Sequence, residues 1–279
     1  MRLLSILFFY TLFGDLFKDI TISIIIGLGS FILGHLPITY RNIKTRKLRK
    51  FVGHSSKNGH SIIVTVPIFH PKDCLTDGSN NNRYKKQNLD NDESYFPGPE
   101  NVMADNDVSA SSFVITMLNP ISKEIIIPQN DEKTLDIWQN HSIFCIGSPV
   151  SNMKTRLLFD QINEMNDPLK KLPIQWKEAP DDLYKVRLIN TADNQEYIST
   201  KDLDYGLILK ISNPFSPRDF IFVTAGIAEF GTLASSQYLK NNWEYLYKES
   251  KCKSFFCVVS VNPHHTQIIN KVSFKVIDF

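Results

Sequence analysis

The sequence predicts an α/β fold: N-terminal transmembrane segment(s) followed by a Rossmann-like, mostly parallel sheet domain with an antiparallel hairpin. Three observations predict it: an uncharged apolar stretch over residues 20–38, a strand, tight turn and helix over 141–165, and a strand, helix and strand ending at 261. The domain reading is a membrane anchor over 1–40, a basic juxtamembrane linker over 41–53 and a cytoplasmic α/β domain over 54–279, with a flexible loop at 71–100.

"ITISIIIGLGSFILGHLPI" (20–38) carries no charge and approaches the roughly 20 residues that cross about 30 Å of hydrocarbon. Its Gly27, Gly29 and Gly34 would let a second helix approach closely, so a homo-oligomer through this span is expected. "RNIKTRKLRK" (41–50) follows with six cations, which predicts a cytoplasmic end, a cell-membrane location and contact with anionic lipid of the bilayer. "LLSILFFYTLF" (3–13) is too short to cross alone. It is read as one arm of a hairpin with 20–38 or as an interfacial segment. A signal peptide is a further reading, although no small-x-small cleavage site follows; a buried helical hairpin is another.

The full chain of 279 residues is 42% hydrophobic and 22% charged, a balance that supports packed cores rather than disorder. Its formal net charge of +2 is smaller than the charge of the 41–50 run, so the remainder is near neutral and nucleic acid is not an expected partner. The four cysteines show no metal-type spacing and are read as reduced, and no metal or cofactor is expected.

"SIIVTVPIF" (61–69) reads as a strand ending near Pro67. The polar stretch from 71 to 100 reads as a loop. "DNDVSASSFVITMLNP" (105–120) reads as a helix with Asp105 or Asp107 as cap and Pro120 as stop, and "KEIIIPQ" (123–129) as a short strand. "HSIFCIG" (141–147) is a strand, Gly147-Ser148-Pro149 a turn, and Ser151 or Asn152 the cap of a helix from about 153 to 165. "DYGLILKISNPFSPRDFIFVTAG" (204–226) reads as a hairpin, because its two X-Pro steps continue neither strand. The helix that follows presents Leu233, Tyr238, Leu239, Trp243 and Leu246 on one face. "SFFCVVSV" (254–261) completes a strand, helix, strand unit with an expected parallel pairing.

In open α/β sheets ligands bind outside the carboxyl ends of the strands, here at Gly147-Ser148-Pro149, Thr224-Ala225-Gly226 and Asn262-Pro263-His264-His265. Helix first turns offer unsatisfied amides to anions. The candidate ligand-binding residues are therefore Gly147, Ser148, Asn152, Thr155, Arg156, Thr224, Gly226, Gly231 and Thr232. Each also has a structural reading as turn, cap or close-packing residue. Neither G-x-G-x-x-G nor a Walker-type loop occurs. Asp204, Glu229 and His264 are the candidate acid-base groups; surface charge or capping is their alternative. Cys145 reads as core.

"IGSPVSNMKTR", "DYGLILKISNPFSPRDFIFVTAGIAEFGTLASSQYL" and "FFCVVSV" together resemble a signature of little-characterised bacterial, membrane-anchored, Rossmann-like proteins. That signature has a G-[GS]-P-x-x-N turn, D-Y-G-L, N-P-F and A-G-x(4)-G-T. The resemblance covers about 141–261 and implies a Rossmann-like module without assigned catalytic residues. Ser148 stands where glycine is common in the turn. The functional expectation is a membrane-anchored module binding a nucleotide-like or other anionic ligand, as a sensor or effector in bacterial signalling or antiviral defence. The alternatives are an enzyme of nucleotide or sugar-nucleotide chemistry in the same crevice, and a tethered interaction platform.

Overall fold

The structure, a computed structural model, describes residues 38–53, 61–67, 104–122, 126–134, 136–164, 172–179 and 182–279. The chain divides into two compact units, residues 1–47 and 48–279. Helix α1 covers residues 38–52. In the first unit its residues 38–47 are almost wholly exposed; in the second its last turn buries Leu48, Phe51 and Val52.

The expected membrane anchor and cell-membrane location are corrected here. Among the described residues no helix is long and apolar enough to cross a membrane. The described helix that begins at Ile38 carries the six cations of 41–50 along its length. The rest of the 20–38 stretch, the 3–13 stretch, the three glycines of the expected span and the 71–100 loop lie outside the described residues.

The second unit is built on a seven-stranded sheet of order β10-β9-β7-β8-β3-β1-β2. Its strands are β1 (Ser61–Val66), β2 (Gln129–Asn130), β3 (His141–Ile146), β7 (Asp204–Asn213), β8 (Ser216–Gly226), β9 (Ser254–Asn262) and β10 (His265–Ile277). Helices α2 (Asp105–Leu118), α3 (Met153–Glu164) and α4 (Glu229–Ser250) complete the layers. Period-two alternation sends Phe144, Ile146, Ile208, Phe222, Phe255 and Cys257 to one face, where they meet α2, α4 and the last turn of α1. Ile143, Cys145, Leu207, Leu209, Ile221, Val223 and Val258 face the other way. They are covered by α3 and by a second, three-stranded sheet, β4 (Ile174–Ala179), β5 (Asp182–Asn190) and β6 (Gln195–Ile198). Sequence reading left that sheet unassigned.

The main sheet is mixed, not mostly parallel. β1 pairs in parallel with β2 and β3, and β3 with β8. The pairs β7–β8, β7–β9 and β9–β10 are antiparallel. The β7–β8 hairpin forms as its proline turn predicts. It has a second effect: β7 occupies the free edge of β8, so the chain leaving β8 through α4 must pass over β7 before β9 can pair. β8 and β9 consequently run in the same direction with β7 between them, and the expected direct pairing is not made. The segment expected to be a third open strand end, 262–265, is instead a two-residue hairpin turn into β10.

Two buried lysines brace this core. Lys210, in the middle of β7, donates to the Cys252 carbonyl at 3.2 Å, just beyond the end of α4. Its ammonium lies 3.8 Å from the Phe220 ring centroid and 4.9 Å from that of Phe51. Lys154, in the first turn of α3, donates to the carbonyls of Thr134 and Ile137 and lies over the Trp138 ring. Burial pushes the pKa of each down to about 8.

Candidate functional site

β1, β3, β8 and β9 all end at one edge of the sheet, and β7 begins there. The first turn of α4 follows β8 directly, and the Asn106 amide reaches Glu229 Oε2 at 3.1 Å, which brings the start of α2 beside the start of α4. The expected candidates on β3 and β8 thus share an edge. What each does there is specific.

Gly147 has φ +109°, a backbone state that disfavours any side chain, and its amide donates to the Thr224 carbonyl at 2.9 Å. Asn152 is fully buried: its Nδ2 donates to the Ile146 carbonyl at 2.9 Å and its Oδ1 accepts the Thr155 amide at 2.9 Å. Thr155 Oγ1 donates to the Gly147 carbonyl at 3.1 Å. The Ser148 carbonyl accepts the amides of Ser151 and Asn152. Arg156 folds back over the turn, donating to the carbonyls of Pro149 at 2.8 Å and Val150 at 3.3 Å. The turn is therefore tied to itself and to β8, through the amides of Gly147, Ser151 and Asn152 and the Arg156 guanidinium.

The starts of α3 and α4 are each engaged in part by a distant carboxylate. The Met153 amide, first in α3, donates to Asp131 Oδ2 at 2.6 Å. At α4 the N-cap residue Ala228 offers no side-chain cap, and Asp204 of β7 replaces it. Asp204 Oδ2 accepts the Gly231 amide at 2.6 Å; its Oδ1 accepts the amides of Ala228 at 3.1 Å and Tyr205 at 2.7 Å, together with the Ser199 hydroxyl. A carboxylate here satisfies orphan amides and the positive end of the helix together. Asp204 is 1% exposed, so its role is structural capping.

Gly231 packs against β7 so closely that a Cβ would overlap the Tyr205 carbonyl, and a Cβ on Gly206 would overlap the Gly231 carbonyl. Gly226 is packed against the same first turn of α4. Thr232 is buried, and Thr224 Oγ1 accepts the Ser236 hydroxyl at 2.8 Å. His264 lies apart in the β9–β10 turn, its Nε2 3.6 Å from Asp202 Oδ1, with both side chains exposed. Cys145 is fully buried in β3, and burial pushes its thiol up to about 11, out of nucleophilic range.

Sequence reading missed the electrostatics of this edge. Asp107, read as a cap, caps nothing: the N-cap of α2 is Ala104, and no side-chain cap bond forms there. Asp107 is 7% exposed. Burial, then the Glu229 and Asp131 carboxylates, push its pKa up to about 7, against the pull of the helix N-terminus. Asp131 is itself buried and Glu229 is exposed. The only sequence trace of this cluster is an Asp at the third position of α2, a pattern shared with ordinary helix starts. Among the described residues no group of three ligating side chains could hold a metal ion.

Fold and edge define an α/β protein with a mixed seven-stranded sheet in which distant carboxylates accept amides at the starts of α3 and α4. No family model, curated protein or solved structure matches the chain.

Proposed function

We propose that the protein is a small-molecule-binding α/β module, with its ligand at the carboxyl edge of β1, β3 and β8 beside the first turns of α2 and α4. The observation that carries this reading is Asp107: a largely buried carboxyl at a helix start, whose pKa burial and two further carboxylates raise to about 7. Burial and like charge together disfavour its ionised form, which lowers stability at neutral pH. Groups of this kind concentrate where ligands bind or protons move. Several amides of the G-S-P turn and of the starts of α3 and α4 are already bonded within the chain.

A second reading, that of an enzyme, is favoured by the same residue: a carboxyl titrating near neutrality suits a general acid or base. Thermal-shift and native mass spectrometric screening of the full chain, with Asp107→Asn alongside, tests both. The binding reading expects at least one compound that stabilises the native protein and fails to stabilise Asp107→Asn; the enzymatic reading expects that compound also to be turned over. Equal stabilisation of both proteins by every ligand found would overturn the site.

A further inference from the structure

The positive charge of the chain is gathered on one helix. The formal net charge is only +2, and on that balance nucleic acid is not an expected partner, yet Arg41, Lys44, Arg46 and Lys47 all fall within the first ten residues of α1. Every residue from 38 to 47 is exposed except the half-buried Thr45, so these turns are open to solvent around the helix. The exposure includes apolar side chains: Ile38 at 57%, Tyr40 at 64% and Ile43 at 50%.

The directions of the cations decide what fits them. Successive residues of an α-helix are turned by about 100°, so the side chains at 41, 44, 46 and 47 leave the axis in four directions rather than one. A flat anionic surface meets a helix on one side only, and an interfacial helix carries an apolar face opposite its charges. These turns have no such face. Around the axis Lys47 falls between Tyr40 and Ile43, and Ile38 falls between Arg41 and Arg46. The complement of such a helix is an anion that walls it on both sides. The major groove of B-form DNA is about 12 Å wide with phosphates along both edges, and an α-helix with its side chains is about 10–12 Å across. Duplex RNA does not offer the same fit, because its major groove is deep and narrow.

We propose that the exposed turns of α1, residues 38–47, dock in the major groove of duplex DNA, with Arg41, Lys44, Arg46 and Lys47 paired to the phosphates on its two edges. Binding of this kind is electrostatic and carries no base sequence information, since phosphate contacts position a helix without reading the bases. It is independent of the ligand reading at the carboxyl edge, and neither depends on the other.

The test is fluorescence anisotropy of the full chain with a labelled DNA duplex of about 20 base pairs, at about 50 and about 200 mM salt. Four phosphate contacts predict a slope of log affinity against log salt of about −3 to −4, which is about a hundredfold loss of affinity over that range. The combined variant Arg41→Gln, Lys44→Gln, Arg46→Gln and Lys47→Gln keeps good helix formers at exposed positions and is expected to bind at least about tenfold more weakly. A control variant removes the same charge from exposed positions elsewhere, Lys201→Gln, Lys248→Gln, Lys251→Gln and Lys253→Gln, and should change affinity by less than about twofold. Absence of duplex binding at the lower salt would overturn the proposal. An equal loss in the two variants would also overturn it, because net charge rather than this helix would then attract the DNA. Single-stranded DNA or duplex RNA bound as tightly as duplex DNA would remove the groove from the account. Vesicles of phosphatidylcholine with about 30% phosphatidylserine, bound by the parent when the duplex is not, would make the partner a lipid surface instead.

Discussion

Asp204 Oδ2 accepts the amide of Gly231, 27 residues later, at 2.6 Å, so the first residue of β7 caps α4. The same carboxylate also holds Ala228, Tyr205 and Ser199. Asp204→Ala leaves three amides without an acceptor, that of Gly231 buried, and is expected to destabilise the protein by about 3 kcal/mol. Asp204→Asn turns an NH₂ toward those amides and recovers only part of the loss. Urea unfolding midpoints check the order, and amide exchange in the first turn of α4 should rise in both variants.

Gly231 is a steric requirement of the same junction. A methyl group there overlaps the Tyr205 carbonyl, which is backbone of a central strand and cannot swing aside. Gly231→Ala is predicted to cost about 3 kcal/mol and to lower the yield of folded protein, whereas Ala228→Gly, at an exposed cap position, should change stability by less than about 1 kcal/mol. Paired thermal melts distinguish the two.

Asp107 gives stability a defined pH profile. Its folded pKa of about 7 lies above the ordinary 3.8, so the native state binds the proton more tightly than the unfolded chain does. The contribution is full below about pH 4 and is lost as pH rises through about 7. Asp107→Asn should raise stability at pH about 8 by up to about 4 kcal/mol and flatten the profile between those limits. Unfolding curves at a series of pH values measure it, and a variant less stable than the parent at alkaline pH would count against the described burial.

Lys210 works in the opposite sense at higher pH. Its folded pKa, about 8, lies below the ordinary 10.5, so between these values the unfolded chain holds more protons and stability rises with pH. Lys210→Met keeps most of the volume and removes the desolvated charge. It forfeits the Cys252 carbonyl bond and the ring contacts, for an expected net gain of about 1–2 kcal/mol at neutral pH. The rise between pH 8 and 10.5 should be much reduced in the variant.

Arg156 separates the anion expectation from the observed geometry. Its guanidinium is exposed and bonded to the turn it follows, so Arg156→Ala should cost no more than about 1 kcal/mol. Phosphate should stabilise neither protein. A phosphate-dependent melting shift in the parent that disappears in the variant would restore the turn as an anion site.

The amino-acid order by itself determined several local pieces from 104 onward, but not the strand expected over 123–129, of which 126–128 carry no regular structure and β2 begins only at Gln129. The apolar runs mark β3, β7, β8 and β9, the prolines beside Asn213 and Ser216 set the hairpin, and Asn152 caps α3 as its spacing predicts. These signals act within a few residues, where chain connectivity fixes the geometry. Tertiary structure alone decided which strand lies beside which. The hairpin partner of β8 displaced β9 from it, and the weakly patterned 172–198 region became β4 to β6 once it had the other sheet face to cover. The site followed the same rule. The residues that cap α3 and α4, Asp131 and Asp204, stand 22 and 27 positions before the amides they satisfy, and Asp107 becomes exceptional only through burial beside Glu229 and Asp131. A helix start looks the same in sequence whether its amides await a ligand or are already bonded. Only the approach of distant carboxylates distinguishes the two, because electrostatics and desolvation depend on distance in space rather than on separation along the chain.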